Sequence, residues 1–214
     1  GDLAGARERL EQSLAIRVRV YGTEEHSEVA ASVYALGSLF YQQGDLTSAQ
    51  EMVNRSLSIR MRIFGGGDHP DVAGDLHLLG TILREQEDWS GARQMLEMSL
   101  AMKGRLLGTE EHPDFASCLD ELVRILVAQD NLMAAWEQMD RLLGIQRNLY
   151  GALDADTVAV TELNFAMVLR QCGEPERARE LLTHAHGVFL SVYGAQHPYT
   201  RLAVQHLAMN QPET

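Results

Sequence analysis

The chain has 214 residues, 45% hydrophobic and 22% charged, an ordinary make-up for a folded protein and far from a disordered one. Its formal charge of -12 argues against a non-specific nucleic-acid binder, which needs a basic surface to displace counterions, and an acidic membrane leaflet repels it. Cys118 and Cys172 lie 54 positions apart with no Cys-x-x-Cys partner, too few for a disulfide scaffold, so a reducing, cytoplasmic compartment is expected. No run of about 18 apolar residues offers a membrane span, and the N-terminal "GDLAGARERLEQ" lacks the basic-then-apolar order of a secretion signal.

In chain order, Leu3, Ala6, Leu10 and Leu14 are spaced by three and four, one stripe of a helix over roughly Asp2 to Val20. After a glycine loop, Val29, Val33, Leu36 and Phe40 mark a second helix, and Leu46, Ala49, Val53 and Leu57 a third. The alternation continues with Val72, Leu76, Leu79 and Leu83, then with Trp89, Ala92, Leu96 and Leu100. At the far end, "PYTRLAVQHLAMN" reads as the first helix of a pair whose second is absent, just as the opening helix lacks its first. A fragment of a longer array, or an array whose capping elements are missing, is expected.

These pieces repeat. "GDLAGA" at Gly1 returns as "GDLTSA" at Gly44, "EDWSGA" at Glu87, "DNLMAA" at Asp130 and "GEPERA" at Gly173, each 43 residues after the last. Alanine closes every copy, at Ala6, Ala49, Ala92, Ala135 and Ala178, where a small side chain lets paired helices approach closely. Glycine recurs at Gly22, Gly65, Gly108, Gly151 and Gly194, each after a large residue: Tyr21, Phe64, Leu107, Tyr150 or Tyr193. Gly44 and Gly173 suit left-handed helix caps; Asp130 also visits that region, and Glu87 suits it less well. One hairpin has too little apolar surface to stand alone, so the hairpins must stack into an all-α array of about ten helices.

The phased "YG..HP.VA..L..L" and "G-D-L-x-x-A" segments resemble the tetratricopeptide repeat, TPR, in the longer form found in kinesin light chain, over essentially the whole chain. Leu36-Gly37 and Leu79-Gly80 stand at that family's Leu-Gly pair. The loops carry one residue more than the light-chain pattern except the last, "YGAQHP", and Tyr34-Ala35, His77-Leu78 and Asp120-Glu121 replace its Asn-Asn. The resemblance implies a right-handed superhelical solenoid of antiparallel helix hairpins forming a single domain over 1–214, with a concave groove lined by the first helices.

His26, His69, His112 and His197 recur once per unit, so metal binding must be weighed. Equivalent positions of stacked units lie on the order of 10 Å apart, whereas zinc holds its ligands within about 2.0–2.3 Å. Ala155 breaks the series as well. The histidines are therefore expected to start the following helix, aided by Pro70, Pro113 and Pro198 at its first turn. "GGGD" at Gly65 to Asp68 lacks the Lys-Ser/Thr of a phosphate loop. His184 and His186, two apart, point to different sides of a helix. No catalytic set, cofactor motif or metal site is expected, and the chain is not read as an enzyme.

Three rows are implied to face the groove: Tyr34, His77, Asp120 and Leu163; Ser38, Thr81, Arg124 and Met167; and Tyr41, Arg84, Val127 and Arg170. Their three arginines against one acid favour an acidic or C-terminal peptide, since arginine grips a carboxylate with two parallel hydrogen bonds. Alternatively, these arginines pair with Asp120, Glu85 and Glu121 along the groove wall. Trp89, in place of Leu46 and Leu132, reads as core. Trp136 lies in an otherwise polar row with Arg7, Gln50, Arg93 and Arg179, and is either a secondary anchor for a partner or packed against a neighbouring side chain. Two functions are expected: a scaffold that binds a partner peptide or domain through the groove, or a regulatory and sensing module of a larger bacterial signalling protein that controls an attached effector domain.

Overall fold

The computed structural model describes residues 3–151 and 155–209, and the described residues form ten α-helices and no strand. They are α1 (Leu3–Tyr21), α2 (Ser27–Gln42), α3 (Leu46–Ile63), α4 (Pro70–Glu85), α5 (Trp89–Leu107), α6 (Pro113–Ala128), α7 (Leu132–Leu149), α8 (Ala155–Gln171), α9 (Pro175–Tyr193) and α10 (Pro198–Met209). Asp2 and Asn210, included in the expected terminal helices, lie outside the described residues. The helices fall into two compact units, Gly1–Thr109 and Glu110–Thr214, and within each a helix packs on its neighbours in sequence.

In the first unit, the α2–α3 and α4–α5 turns each place one residue in the left-handed region: Gly44 at φ 78° and Glu87 at φ 63°. Glu87 adopts it despite its Cβ because the turn closes there as it does at Gly44. The Asp45 N–H reaches the Phe40 carbonyl at 3.0 Å, and the Asp88 N–H reaches Leu83 at 2.9 Å, a six-to-one bond that satisfies an orphaned carbonyl. Asp45 and Asp88 then cap the next helix, accepting from the Ser48 and Gly91 N–H groups at 3.1 and 3.0 Å. The second unit repeats this with Asp130 at φ 55° and Gly173 at φ 83°. Asn131 is the cap of α7, whereas α9 relies on Pro175 at its first turn.

The phased alanines and glycines set how closely each pair packs. Ala49, Ala92, Ala135 and Ala178 are fully buried. A Cβ built on Gly37 would sit 2.7 Å from Val53 Cγ2 and 3.3 Å from the Ala49 carbonyl oxygen; one on Gly80 would sit 2.7 Å from Leu96 Cγ and 3.2 Å from the Ala92 oxygen. The repeat thus pairs Gly37 with Val53 and Gly80 with Leu96, and in the second unit the same positions hold Val123 with Met139 and Ala166 with Leu182. Full burial of a side chain such as Leu96 or Leu182 is worth roughly 1.5–3 kcal/mol, so these stripes carry the stability of the stack. Trp89 departs from its expected core placement: at the first residue of α5 it is only half-buried, as are Leu46 and Leu132 at the equivalent positions.

Candidate partner-binding face

The recurring histidines cap helices. His26, His69 and His112 are the N-cap residues of α2, α4 and α6, and each Nδ1 accepts the N–H two residues on, at 3.1 Å. His197 does the same for Tyr199 at 3.4 Å. In three loops the aromatic residue before the glycine completes the device: Tyr21 and Phe64 stack on His26 and His69 with ring centroids 3.5 Å apart, and Tyr193 lies 4.3 Å from His197. Among the described residues no cluster of three or more His, Cys, Asp or Glu side chains is able to hold a metal ion.

In the first unit, α2 and α4 carry Tyr34, Ser38, Tyr41, His77, Thr81 and Arg84, all half-buried. Arg84 donates to Glu85 Oε1 at 2.7 Å, and Thr81 donates to the His77 carbonyl oxygen at 3.0 Å. His77 Nδ1 meets the Lys103 ammonium at 3.2 Å. Tyr34 lies with the Arg60 guanidinium 5.3 Å over its ring. Beneath it is a buried polar cluster: Asp75, fully buried, is bridged to Arg60 and accepts from Ser56 Oγ at 3.1 Å, and Ser56 also donates to the Ala30 carbonyl at 3.1 Å. Burial raises the Asp75 carboxyl to about 7, against the pull of Arg60 and Ser56, and burial together with Asp75 raises the Tyr34 phenol.

In the second unit, three cavities follow one another along α6, α8 and α10. One of about 320 Å³ is edged by Ser117, Asp120, Arg124, Gln146 and Asn164. A second of about 290 Å³ shares Asp120, Arg124 and Asn164 with it and is walled by Val123, Val127, Met139, Met167 and Val168. A third of about 310 Å³ shares Met167 and Gln171 with the second and adds Arg170 and His206. The structure therefore brings together Asp120, Arg124, Met167 and Arg170 of the expected rows. It does not bring Leu163 to the surface: at 2% exposure that side chain is core, so the first row ends in packing.

Charge is distributed unevenly here. Arg124 is bound to Asp120 at 2.9 Å and Arg84 to Glu85, two of the pairings weighed from the sequence. Burial opposes the Arg124 charge, yet Asp120 holds its pKa above the usual arginine value. Arg170 differs: its Nη1 meets His206 Nδ1 at 3.3 Å, and burial plus the Arg170 charge lower the His206 pKa, which favours the neutral ring. Trp136 is half-buried on α7, with Arg177 5.7 Å over its ring and Arg177 also paired to Asp140, and it lines a surface cavity with Met133 and Asp140.

Asn164, Gln171, Gln146 and His206 were not picked out from the sequence. Asn164 falls one position beyond the first row, in register with Ala35, Leu78 and Glu121, and only helix rotation tells which of two adjacent rows faces outward.

Tetratricopeptide repeat models match residues 1–62, 29–104 and 158–199. The chain belongs to the tetratricopeptide repeat family. Its TPR fold is an all-α helical-repeat solenoid shared with solved structures of low identity. Kinesin light chain-type TPR-like repeats of Podosopora anserina match at 22% identity and TM-score 0.74, covering 90% of each chain. BtubC (BKLC) of P. vanneervenii matches at 16% and 0.75, covering 98% of this chain and 83% of that one. YrrB, a TPR protein with an unusual peptide-binding site, matches at 16% and 0.61, covering 95% and 86%. No curated protein sequence matches the TPR chain significantly. None of its described helices is long and apolar enough to cross a membrane.

Proposed function

We propose that this TPR chain is a protein-interaction scaffold that binds an extended, acidic partner segment along the exposed face of α6, α8 and α10. The observation that carries this reading is the run of three adjoining cavities on α6, α8 and α10, edged by Arg124 and Arg170. TPR folds are interaction scaffolds, and YrrB, of the same fold, has a peptide-binding site. Arginine offers a planar fork to carboxylates, and the overall charge of -12 makes a local cationic edge a selective feature.

A peptide array of acidic segments with charge-reversed controls tests the reading. Acidic members bind, and binding weakens as salt is raised because exposed charge attraction is screened over about 8–10 Å at physiological ionic strength. Replacing Arg124 and Arg170 together by Glu abolishes binding without lowering helix content. Retained binding by that double variant moves recognition to another surface, the outer helices around Trp136 first.

A further inference from the structure

The walls of the middle cavity have a sequence cause. At Gly37 and Gly80 the repeat allows not even a Cβ against the facing Val53 and Leu96. At the same register α6 carries Val123 opposite Met139 of α7, and both side chains line the cavity between α6 and α8. Val123 and Met139 thus supply apolar wall to a recess at the register where Gly37 and Gly80 leave no room for a side chain. On one side of it lies Gln146, 6% exposed, which lines the polar cavity and whose buried Oε1 has no hydrogen-bond partner among the described residues. The equivalent Arg17 and Arg60 reach across to Ser32 and Asp75 of the next helix, and a glutamine is too short and uncharged to repeat that pairing. On the other side, Arg170 has no carboxylate partner among the described residues, and its neighbour His206 is held toward neutrality.

We infer that the second unit reads a short ordered motif in its partner: an aliphatic side chain in the recess walled by Val123 and Met139, and an acidic side chain at Arg170. This rests on the proposed partner-binding function and narrows it. The aliphatic and acidic residues lie one or two positions apart, because the recess and the Arg170 cavity share Met167 and Gln171 and an extended strand advances about 3.3 Å per residue. The occupant is an internal stretch of a partner chain, since the cavities adjoin in a line and call for chain on both sides of the aliphatic residue.

The probe is a fluorescent polar peptide carrying Asn-Leu-Glu at its centre, compared with versions in which Leu becomes Ala, Glu becomes Gln, or the chain ends at Leu. Leu to Ala is expected to weaken binding about tenfold or more, from the apolar area lost; Glu to Gln weakens it about tenfold, as one charge-assisted contact is lost. Arg170→Gln weakens the Glu peptide by the same factor and leaves the Gln peptide unchanged. Val127→Phe, which crowds the rim of the recess from an exposed position, removes the Leu preference while leaving the Ala peptide's affinity as it was. Acidic peptides that bind equally well with Leu or Ala, and ignore Val127→Phe, overturn the motif while leaving the broader scaffold function intact. Tighter binding of the peptide ending at Leu also overturns it, by assigning the carboxylate to a chain terminus. If no peptide of either charge binds, both readings fall.

Discussion

Gly74 and Gly80 lie on the same helix, α4, and differ in one respect: a Cβ on Gly74 would meet nothing within 4 Å, whereas one on Gly80 would lie 2.7 and 2.9 Å from Leu96 Cγ and Cδ2 and 3.2 Å from the Ala92 carbonyl oxygen. Replacing either by alanine removes backbone freedom from the unfolded chain and gains about 0.5–1 kcal/mol of helix propensity. At Gly74 that gain stands alone, so Gly74→Ala is expected to stabilise. At Gly80 the new methyl meets a branch carbon of a fully buried leucine and a backbone oxygen, neither of which is the free end of a flexible chain. Overpacking of this kind costs about 1–3 kcal/mol, so Gly80→Ala comes out destabilised by about 0–2 kcal/mol, and the two variants differ by about 1–3 kcal/mol. Urea unfolding followed by circular dichroism reads both. Equal stabilisation of the two variants would refute the close α4–α5 contact and the role given to the phased glycines.

Ala92→Leu, which enlarges the other side of that contact, destabilises by about 1–3 kcal/mol in the same assay, and the loss spreads to adjoining helices because neighbouring repeats are coupled. His69→Ala removes both the α4 cap and the stack on Phe64 and lowers stability by about 0.5–2 kcal/mol; His69→Asn keeps an acceptor and recovers most of it, and no recovery would remove the capping role. Asp75 has its folded pKa raised from 3.8 to about 7 by burial, so its contribution is fully present below the unfolded value and is lost as pH rises through about 7. Between about pH 5 and 8 it should cost the protein on the order of 2 kcal/mol, and Asp75→Asn should flatten that slope; identical slopes in parent and variant refute the raised pKa. Adding a chelator should leave the melting temperature unchanged, and a loss of several degrees would revive a metal role for the loop histidines.

The sequence by itself determined the helices and their punctuation. Apolar spacing of three and four, the 43-residue phase, and the Gly, Asp and His-Pro signals are local properties of the backbone, and α1 to α10 follow them closely. It also determined that the loop histidines serve helix starts, since one residue per unit cannot gather around one ion. The stacking of Tyr21, Phe64 and Tyr193 on those histidines needed coordinates, because a loop's fold decides which rings meet. Repeat phase places a residue on a face of its helix but does not say what covers that face. Leu163 shares a row with the half-buried Tyr34 and is core; Arg84, Arg124 and Arg170 share a charge, yet two are paired with carboxylates and the third meets a neutral-leaning histidine 36 positions away. The two carboxylate pairs are local to α4 and α6 and open to a sequence reading, whereas the Arg170–His206 contact depends on side chains from separate helices, α8 and α10, arriving close to one another. So does the recess at Val123 and Met139: the substitution is visible in the alignment of the repeats, but the recess it walls exists only between packed helices.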